Sequence, residues 1–121
     1  MPIFGNSYNH FLGYALSGGG AKGFAHLGAL KVLEKSGLKP DVIAGTSAGA
    51  LAGVFYADGY QPEEIIELFK KRDFRDFVEL SIPKSGLLKS TGLHGFLKKN
   101  LRAKCFEDLK IPFFSVATDW N

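Results

Sequence analysis

One cysteine, Cys105, occurs in 121 residues, which excludes an internal disulfide and with it the stapled class of small secreted scaffold. The chain also lacks a basic amino-terminal segment: its first lysine is Lys22, so no secretory signal is read at the start. These two absences set the expectation of a cytoplasmic protein, peripheral to a membrane if it meets one. Long hydrophobic runs are missing as well. After the amino-terminal segment the longest uncharged stretch is Val42 to Ala57, broken by Gly45, Thr46, Ser47 and Gly49. It is shorter than the roughly 20 residues a spanning helix needs, so no transmembrane segment is expected. Low-complexity tracts and repeats are absent, which argues for an ordered chain of one domain.

Acidic residues are missing from one region. Between Ser81 and Phe106 stand Lys84, Lys89, Lys98, Lys99, Arg102 and Lys104 with no Asp or Glu, although the whole chain carries a net charge of only +3. Such a run is ordinarily a solvated face. Leu87, Leu88, Phe96 and Leu97 are interleaved with the charges, and that pattern also fits a patch facing anionic lipid head groups. No nucleic-acid module accompanies the charge, so nucleic acid is not expected as a partner.

What is present is a strand and helix alternation. Residues 12–17 form an apolar run that reads as a buried strand. From Lys22 to Ser36 the apolar residues Phe24, Leu27, Leu30 and Leu33 recur every three positions, opposite Lys31, Glu34 and Lys35. That spacing predicts an amphipathic helix, with Gly37 as its stop. A strand over Asp41–Ala44 leads into an almost wholly apolar helix, Ala48–Ala57, which has to be buried on most sides. Pro62, Glu63 and Glu64, followed by Lys70 and Lys71, predict a helix over 62–71 whose charges suit its dipole. Residues 72–92 read as irregular, a short helix is expected from about Leu93 to Leu101 with Thr91 as cap, and Phe113–Thr118 reads as a third strand. Helical patterns between buried strands argue for an α/β fold with a mainly parallel sheet covered on both faces.

Two glycine motifs sit at strand-to-helix junctions. The first, Gly18-Gly19-Gly20-Ala21-Lys22-Gly23, satisfies the dinucleotide-binding spacing. That reading also requires an acid at the end of the second strand, where the chain has Ala44-Gly45-Thr46. A phosphate loop of the Walker type fails too, because Lys22 is followed by Gly23 rather than Ser or Thr. The second motif, Gly45-Thr46-Ser47-Ala48-Gly49, has the form of a nucleophile elbow, which makes Ser47 the candidate nucleophile. A serine ester hydrolase needs N–H groups aimed at the developing oxyanion, and a glycine run before a helix supplies them. Gly18, Gly19, Gly20, Ala21, Lys22 and Gly23 are the candidate hole, with the Ala48 N–H a further donor. Close packing of Gly45 and Gly49, with Ser47 as a helix cap, is the competing structural reading of the elbow.

Gly-Gly-Gly-Ala-Lys-Gly-Phe-Ala-His-Leu-Gly-Ala-Leu followed by Gly-Thr-Ser-Ala-Gly-Ala-Leu resembles the amino-terminal half of a patatin-like phospholipase domain. Similarity runs from about Tyr14 to Gly59, and Phe106-Glu107-Asp108-Leu109-Lys110-Ile111-Pro112 to Thr118-Asp119 resembles the next strand of that family. The resemblance implies a three-layer α/β sandwich, of which residues 1–121 form the amino-terminal part. It also implies lipid acyl hydrolysis of the phospholipase A, lysophospholipase or esterase type, with a phospholipid or other lipid ester as substrate. The machinery it implies is a Ser–Asp dyad with no catalytic histidine, metal or cofactor. Ser47 matches the nucleophile, and Gly18–Gly20 with Lys22 and Gly23 match the oxyanion-hole motif, where the family has Arg or Lys at the position of Lys22. The dyad aspartate of the family stands in an Asp-Gly-Gly or Asp-Gly-Ala turn, and neither tripeptide occurs here; Asp58-Gly59-Tyr60 follows the Ser47 helix and is misplaced for it. Asp119 is the best internal candidate for a base, ahead of His94. His26 is expected to pack near the glycine loop, His10 has no motif around it, and Cys105 is expected to be buried rather than reactive. Acyl transfer on the same site and a non-catalytic lipid-binding role for the basic segment remain open beside hydrolysis.

Overall fold

The computed structural model describes residues 11–18, 22–46, 48–71 and 90–115, with backbone alone for Lys22, Gly23 and residues 90–94. Three short strands, β1 (Gly13–Leu16), β2 (Val42–Gly45) and β3 (Phe113–Ser115), form a parallel sheet in the order β1-β2-β3. Leu16 lies opposite Gly45, and Gly45 opposite Ser115, so the three carboxyl ends finish level. Among the described residues four helices accompany them: α1 (Lys22–Lys35), α2 (Ala48–Ala57), α3 (Pro62–Lys70) and α4 (Ser90–Asn100). A 3-10 turn over Phe106–Asp108 precedes β3.

The elements follow the sequence pattern closely and depart from it at identifiable places. On α1, Leu27 and Leu30 are fully buried and Leu33 partly so, but Phe24 is 45% exposed and meets Phe69 edge-on at 6.4 Å. Glu34, expected on the solvated face, accepts a hydrogen bond from the Tyr56 hydroxyl at 2.9 Å. Burial pushes the Tyr56 phenol up, and the hydrogen bond and negative charge of Glu34 push it further. The helix α4 starts at Ser90, so Thr91 lies inside it and is not its cap. Its anchor is Phe96, buried against Phe55 at 5.8 Å, and this packing outweighs the weak helix preference of its polar first turn. Phe96 therefore belongs to the core and not to a lipid-facing patch, and Leu97 packs partly buried against the same core. Leu87, Leu88, Lys84 and Lys89 lie outside the described residues, as does the expected strand continuation over 116–118.

Both α1 and α2 end as their glycines predict. Gly37 (φ 82°) and Gly59 (φ 102°) take the left-handed conformation. Leu38 N–H reaches back to the Leu33 carbonyl, and Tyr60 N–H to that of Phe55, closing each helix end with the bond pattern of a Schellman motif. On α3 the Glu64 carboxylate accepts from Gln61 N–H at 2.8 Å, with Pro62 in the first turn, as its sequence requires.

The core is one layer of helices on one face of the sheet. Residues Leu51 to Ala57 are all buried, as expected for the apolar α2. Phe55 is its centre, meeting Tyr60, Phe69 and Phe96 in edge-to-face contacts with centroids 5.3–6.2 Å apart. From the sheet, Ile43 and Phe113 point into this layer, while their neighbour Phe114 is 60% exposed on the other face. The described residues thus supply two of the three expected layers.

A polar strut closes the far end. Asp58 is buried, at 3% exposure, and its carboxylate accepts from the backbone N–H groups of Arg102 at 2.7 Å and Ala103 at 3.0 Å. Ala57 carbonyl also accepts from Ile111 N–H, so the end of α2 fastens the segment that leads into β3. Asp58→Ala leaves two backbone donors without their acceptor, and we expect a loss of about 2 kcal/mol in stability by urea denaturation, against little change for Glu63→Ala on the exposed face of α3.

Candidate active site

Parallel strands place their following loops at one edge, so the segments after β1 and β2 meet at the carboxyl edge of the sheet. The motif residues fall on this edge in order. Gly18 follows β1, and Lys22 and Gly23 are the first residues of α1. Gly45 is the last residue of β2, and Ala48 and Gly49 are the first of α2, so Thr46 and Ser47 alone separate strand from helix. Ser47, Gly19, Gly20 and Ala21 lie outside the described residues, as do His10 and Asp119; of His94 only the backbone is described.

The two motifs touch through their glycines. A Cβ on Gly45 would stand 2.6 Å from the Gly49 carbonyl oxygen and 2.8 Å from Ala50 Cα, so β2 admits no side chain under the first turn of α2. A Cβ on Gly49 would stand 2.1 Å from the carbonyl oxygen of Leu16 and 2.6 Å from that of Ser17. The first turn of α2 is therefore seated on the backbone of the two residues that lead into Gly18. Four residues on, Gly53 continues the contact, with Phe113, Ile43 and Leu16 side chains 2.9–3.3 Å from the position of a Cβ. The same helix face that makes α2 a core element brings the elbow motif onto the end of β1.

Hydrogen bonds complete the junction. Thr46 N–H donates to the Leu16 carbonyl at 3.1 Å, one residue beyond the last strand pair. The Thr46 carbonyl then accepts from Gly49 N–H at 2.8 Å and Ala50 N–H at 3.2 Å. These two donors are consumed in starting the helix, which leaves the Ala48 N–H as the candidate donor of this turn. Across the edge, His26 Nε2 donates to the Ser17 carbonyl at 2.6 Å, so the ring carries its proton on that nitrogen. His26 does meet the segment before the glycine run, and its hydrogen bond there orients the Ser17–Gly18 peptide. The sequence carried no signal for this bond beyond the placing of a histidine one turn into α1.

Two helix amino termini, of α1 and α2, converge on this edge, and neither first turn contains an acid. The positive ends of both dipoles are thus not neutralised by their own helices. By contrast, Asp58 is held at the opposite end of α2 with its carboxylate occupied, which removes it from this site. Cys105 is exposed, contrary to the expected burial, because the 3-10 turn keeps its segment at the surface. Its thiol is pushed up by hydrogen bonds to Glu107 and Asp108, which favour the protonated form, so exposure does not make it a nucleophile. Among the described residues no three His, Cys, Asp or Glu side chains come together as metal ligands would. No described helix is long and apolar enough to cross a membrane.

The chain is similar to known proteins. The family model described as patatin-like phospholipase matches residues 14–121. Human patatin-like phospholipase domain-containing protein 6 is 31% identical over 114 residues, covering 86% of this chain and 8% of its own length. The rat patatin-like phospholipase domain-containing protein 7 is 32% identical over 110 residues, with the same coverage of 86% and 8%. Neuropathy target esterase sws of Drosophila melanogaster is 31% identical over 123 residues, covering 97% of this chain and 8% of its own length. The chain therefore spans about one twelfth of the length of these relatives.

The glycine contacts make a paired prediction. Gly45→Ala and Gly49→Ala drive a methyl into backbone and are expected to cost at least about 3 kcal/mol or to prevent folding, whereas Gly28→Ala, in the middle of α1 with open space around it, is expected to raise stability by about 0.5–1 kcal/mol in the same urea titration.

Proposed function

The chain belongs to the patatin-like phospholipase family, and we propose that it carries the nucleophile and oxyanion half of a serine lipid acyl hydrolase acting on phospholipid or other lipid esters. The observation that supports this most is the seating of Gly49 on the Leu16 and Ser17 backbone, which joins the elbow motif to the segment entering the glycine run. In this reading the Ser47 hydroxyl attacks the ester carbonyl, passing its proton to a base as the Oγ–C bond forms. The tetrahedral oxygen takes hydrogen bonds from N–H groups of Gly18–Gly23 and from Ala48. Loss of one such donor typically costs about 100- to 1,000-fold in rate. The unopposed amino termini of α1 and α2 add positive potential where that negative charge develops. The alcohol then leaves, and water releases the acyl group from Ser47. A glycine run suits this role because its backbone approaches the oxygen without side chains in the way. Lys22 adds charge and positioning at the start of α1.

The general base is the part the sequence does not supply by motif, since neither Asp-Gly-Gly nor Asp-Gly-Ala occurs in it. A serine without its base is a slow nucleophile. A small carboxylate added to solution can take the place of a missing aspartate, which gives a direct test. With a fluorophosphonate, Ser47 Oγ bonds to phosphorus, fluoride leaves and the base takes the proton. We expect one adduct per chain by intact mass, located at Ser47, absent from Ser47→Ala, and formed faster as formate is added. A fall in labelling with Asp119→Asn identifies that residue as an internal base and makes formate unnecessary. A folded chain that never labels at Ser47 above the Ser47→Ala background, with formate present, refutes the proposal.

A further inference from the structure

A second concave surface lies away from the glycine motifs. It is a groove of about 690 Å³ between α2, α4 and the segment leading to the 3-10 turn. Its place is the amino-terminal side of the sheet: Val54 lies six residues along α2 from Ala48, about 9 Å by helix rise, and Leu109 precedes β3. No described residue of either glycine motif lines it.

Its chemistry is two-sided. Val54, Leu97, Leu101, Phe106 and Leu109 give it an apolar floor, and Phe106 is 59% exposed, stacked on Phe113 with ring planes 7° apart. Lys98, Arg102 and Lys104 stand in the same lining, with no Asp or Glu among the described lining residues. Of the acids nearby in the chain, Asp58 is buried and accepts from the Arg102 and Ala103 N–H groups, and Asp108 accepts from Lys104 N–H at 3.4 Å. The Arg102 guanidinium is held 4.3 Å from the centre of the Tyr60 ring, so one cation is fixed in place before any ligand arrives. Three cations beside a continuous apolar trough complement a molecule with one negative head and one aliphatic tail. A flat polyanion would leave the trough uncovered, and the volume falls within the roughly 300–1,000 Å³ of small-molecule sites.

We propose that this groove binds the anion of a long-chain fatty acid, its carboxylate among Lys98, Arg102 and Lys104 and its tail along Leu97, Leu101 and Phe106. The groove lies away from the carboxyl edge of the sheet and does not depend on the chain being a hydrolase.

The test is calorimetric titration of the 121-residue chain with dodecanoate kept below its micelle concentration. Expected is saturable one-to-one binding that weakens at least about tenfold in Lys98→Glu/Lys104→Glu and in about 0.3 M salt. Shortening the ligand to decanoate is expected to weaken binding roughly tenfold, about three- to fourfold for each methylene withdrawn. Phe106→Ser, an exposed position, lowers affinity without loss of fold, checked by near-ultraviolet circular dichroism. Dodecyltrimethylammonium, with the same tail and opposite charge, is expected not to compete. The proposal is overturned by equal binding of that cation, or by dodecanoate affinity unchanged in both folded variants. Binding to vesicles rich in phosphatidylglycerol with no uptake of monomeric dodecanoate overturns it too, and makes the basic face a membrane contact instead.

Discussion

Everything at the carboxyl edge of the sheet depends on one steric fact: α2 begins in van der Waals contact with the backbone of Leu16 and Ser17. Glycine at 49 is the condition for that contact, and glycine at 45 is the condition for β2 to pass beneath the same turn. The structure shows these glycines as packing residues, and that packing does not compete with their reading as an elbow. Packing without side chains is what brings the first turn of α2 up against the backbone that enters the glycine run. Hydrogen bonds from Thr46 and His26 then orient the two backbones that meet there, at little cost in conformational freedom because both are already confined.

The helix that makes this contact is also the core. Gly49 and Gly53 lie one turn apart on the face against the sheet, while Phe55, Val54 and Leu51 fill the space toward the other helices. Rigidity follows from sharing one element between site and core, since a shift at the site would have to disturb the aromatic cluster around Phe55. At the other end of α2, Asp58 exchanges its hydration for two backbone donors more than forty residues away, and so ties the segment before β3 to the helix after β2. The sheet order β1-β2-β3 is fastened in this way from below as well as by its own ladder.

The open face of the sheet has a different character. A parallel sheet normally carries helices on both faces, because strands buried on two sides are apolar on two sides. Here Phe114 turns its ring outward from β3 while Phe113, next to it, faces α2. The family model matches residues 14–121, and the relatives compared are many times longer than this chain. The two-layer arrangement of the described residues is consistent with a segment of such a fold.

How much was legible without the structure differs by element and has a physical reason in each case. Periodicity and end signals located β1, α1, β2, α2 and α3 to within a residue or two, since Gly37, Gly59 and Pro62 act locally on the chain. The start of α4, the exposure of Cys105 and the burial of Phe96 were not legible, because each depends on which distant surface the segment meets. Composition placed Phe96 in a basic patch, and its contact with Phe55 placed it in the core. Sequence by itself determined the α/β alternation, the two glycine motifs and the choice of Ser47 as candidate nucleophile, all of which are patterns over neighbouring residues. Tertiary structure alone decided that Gly49 seats on Leu16 and Ser17, that His26 holds the Ser17 carbonyl, and that the Asp58 carboxylate ties down the Arg102 and Ala103 backbone. Those are contacts between residues 9 to 45 positions apart, and no local pattern encodes which atoms a fold brings together.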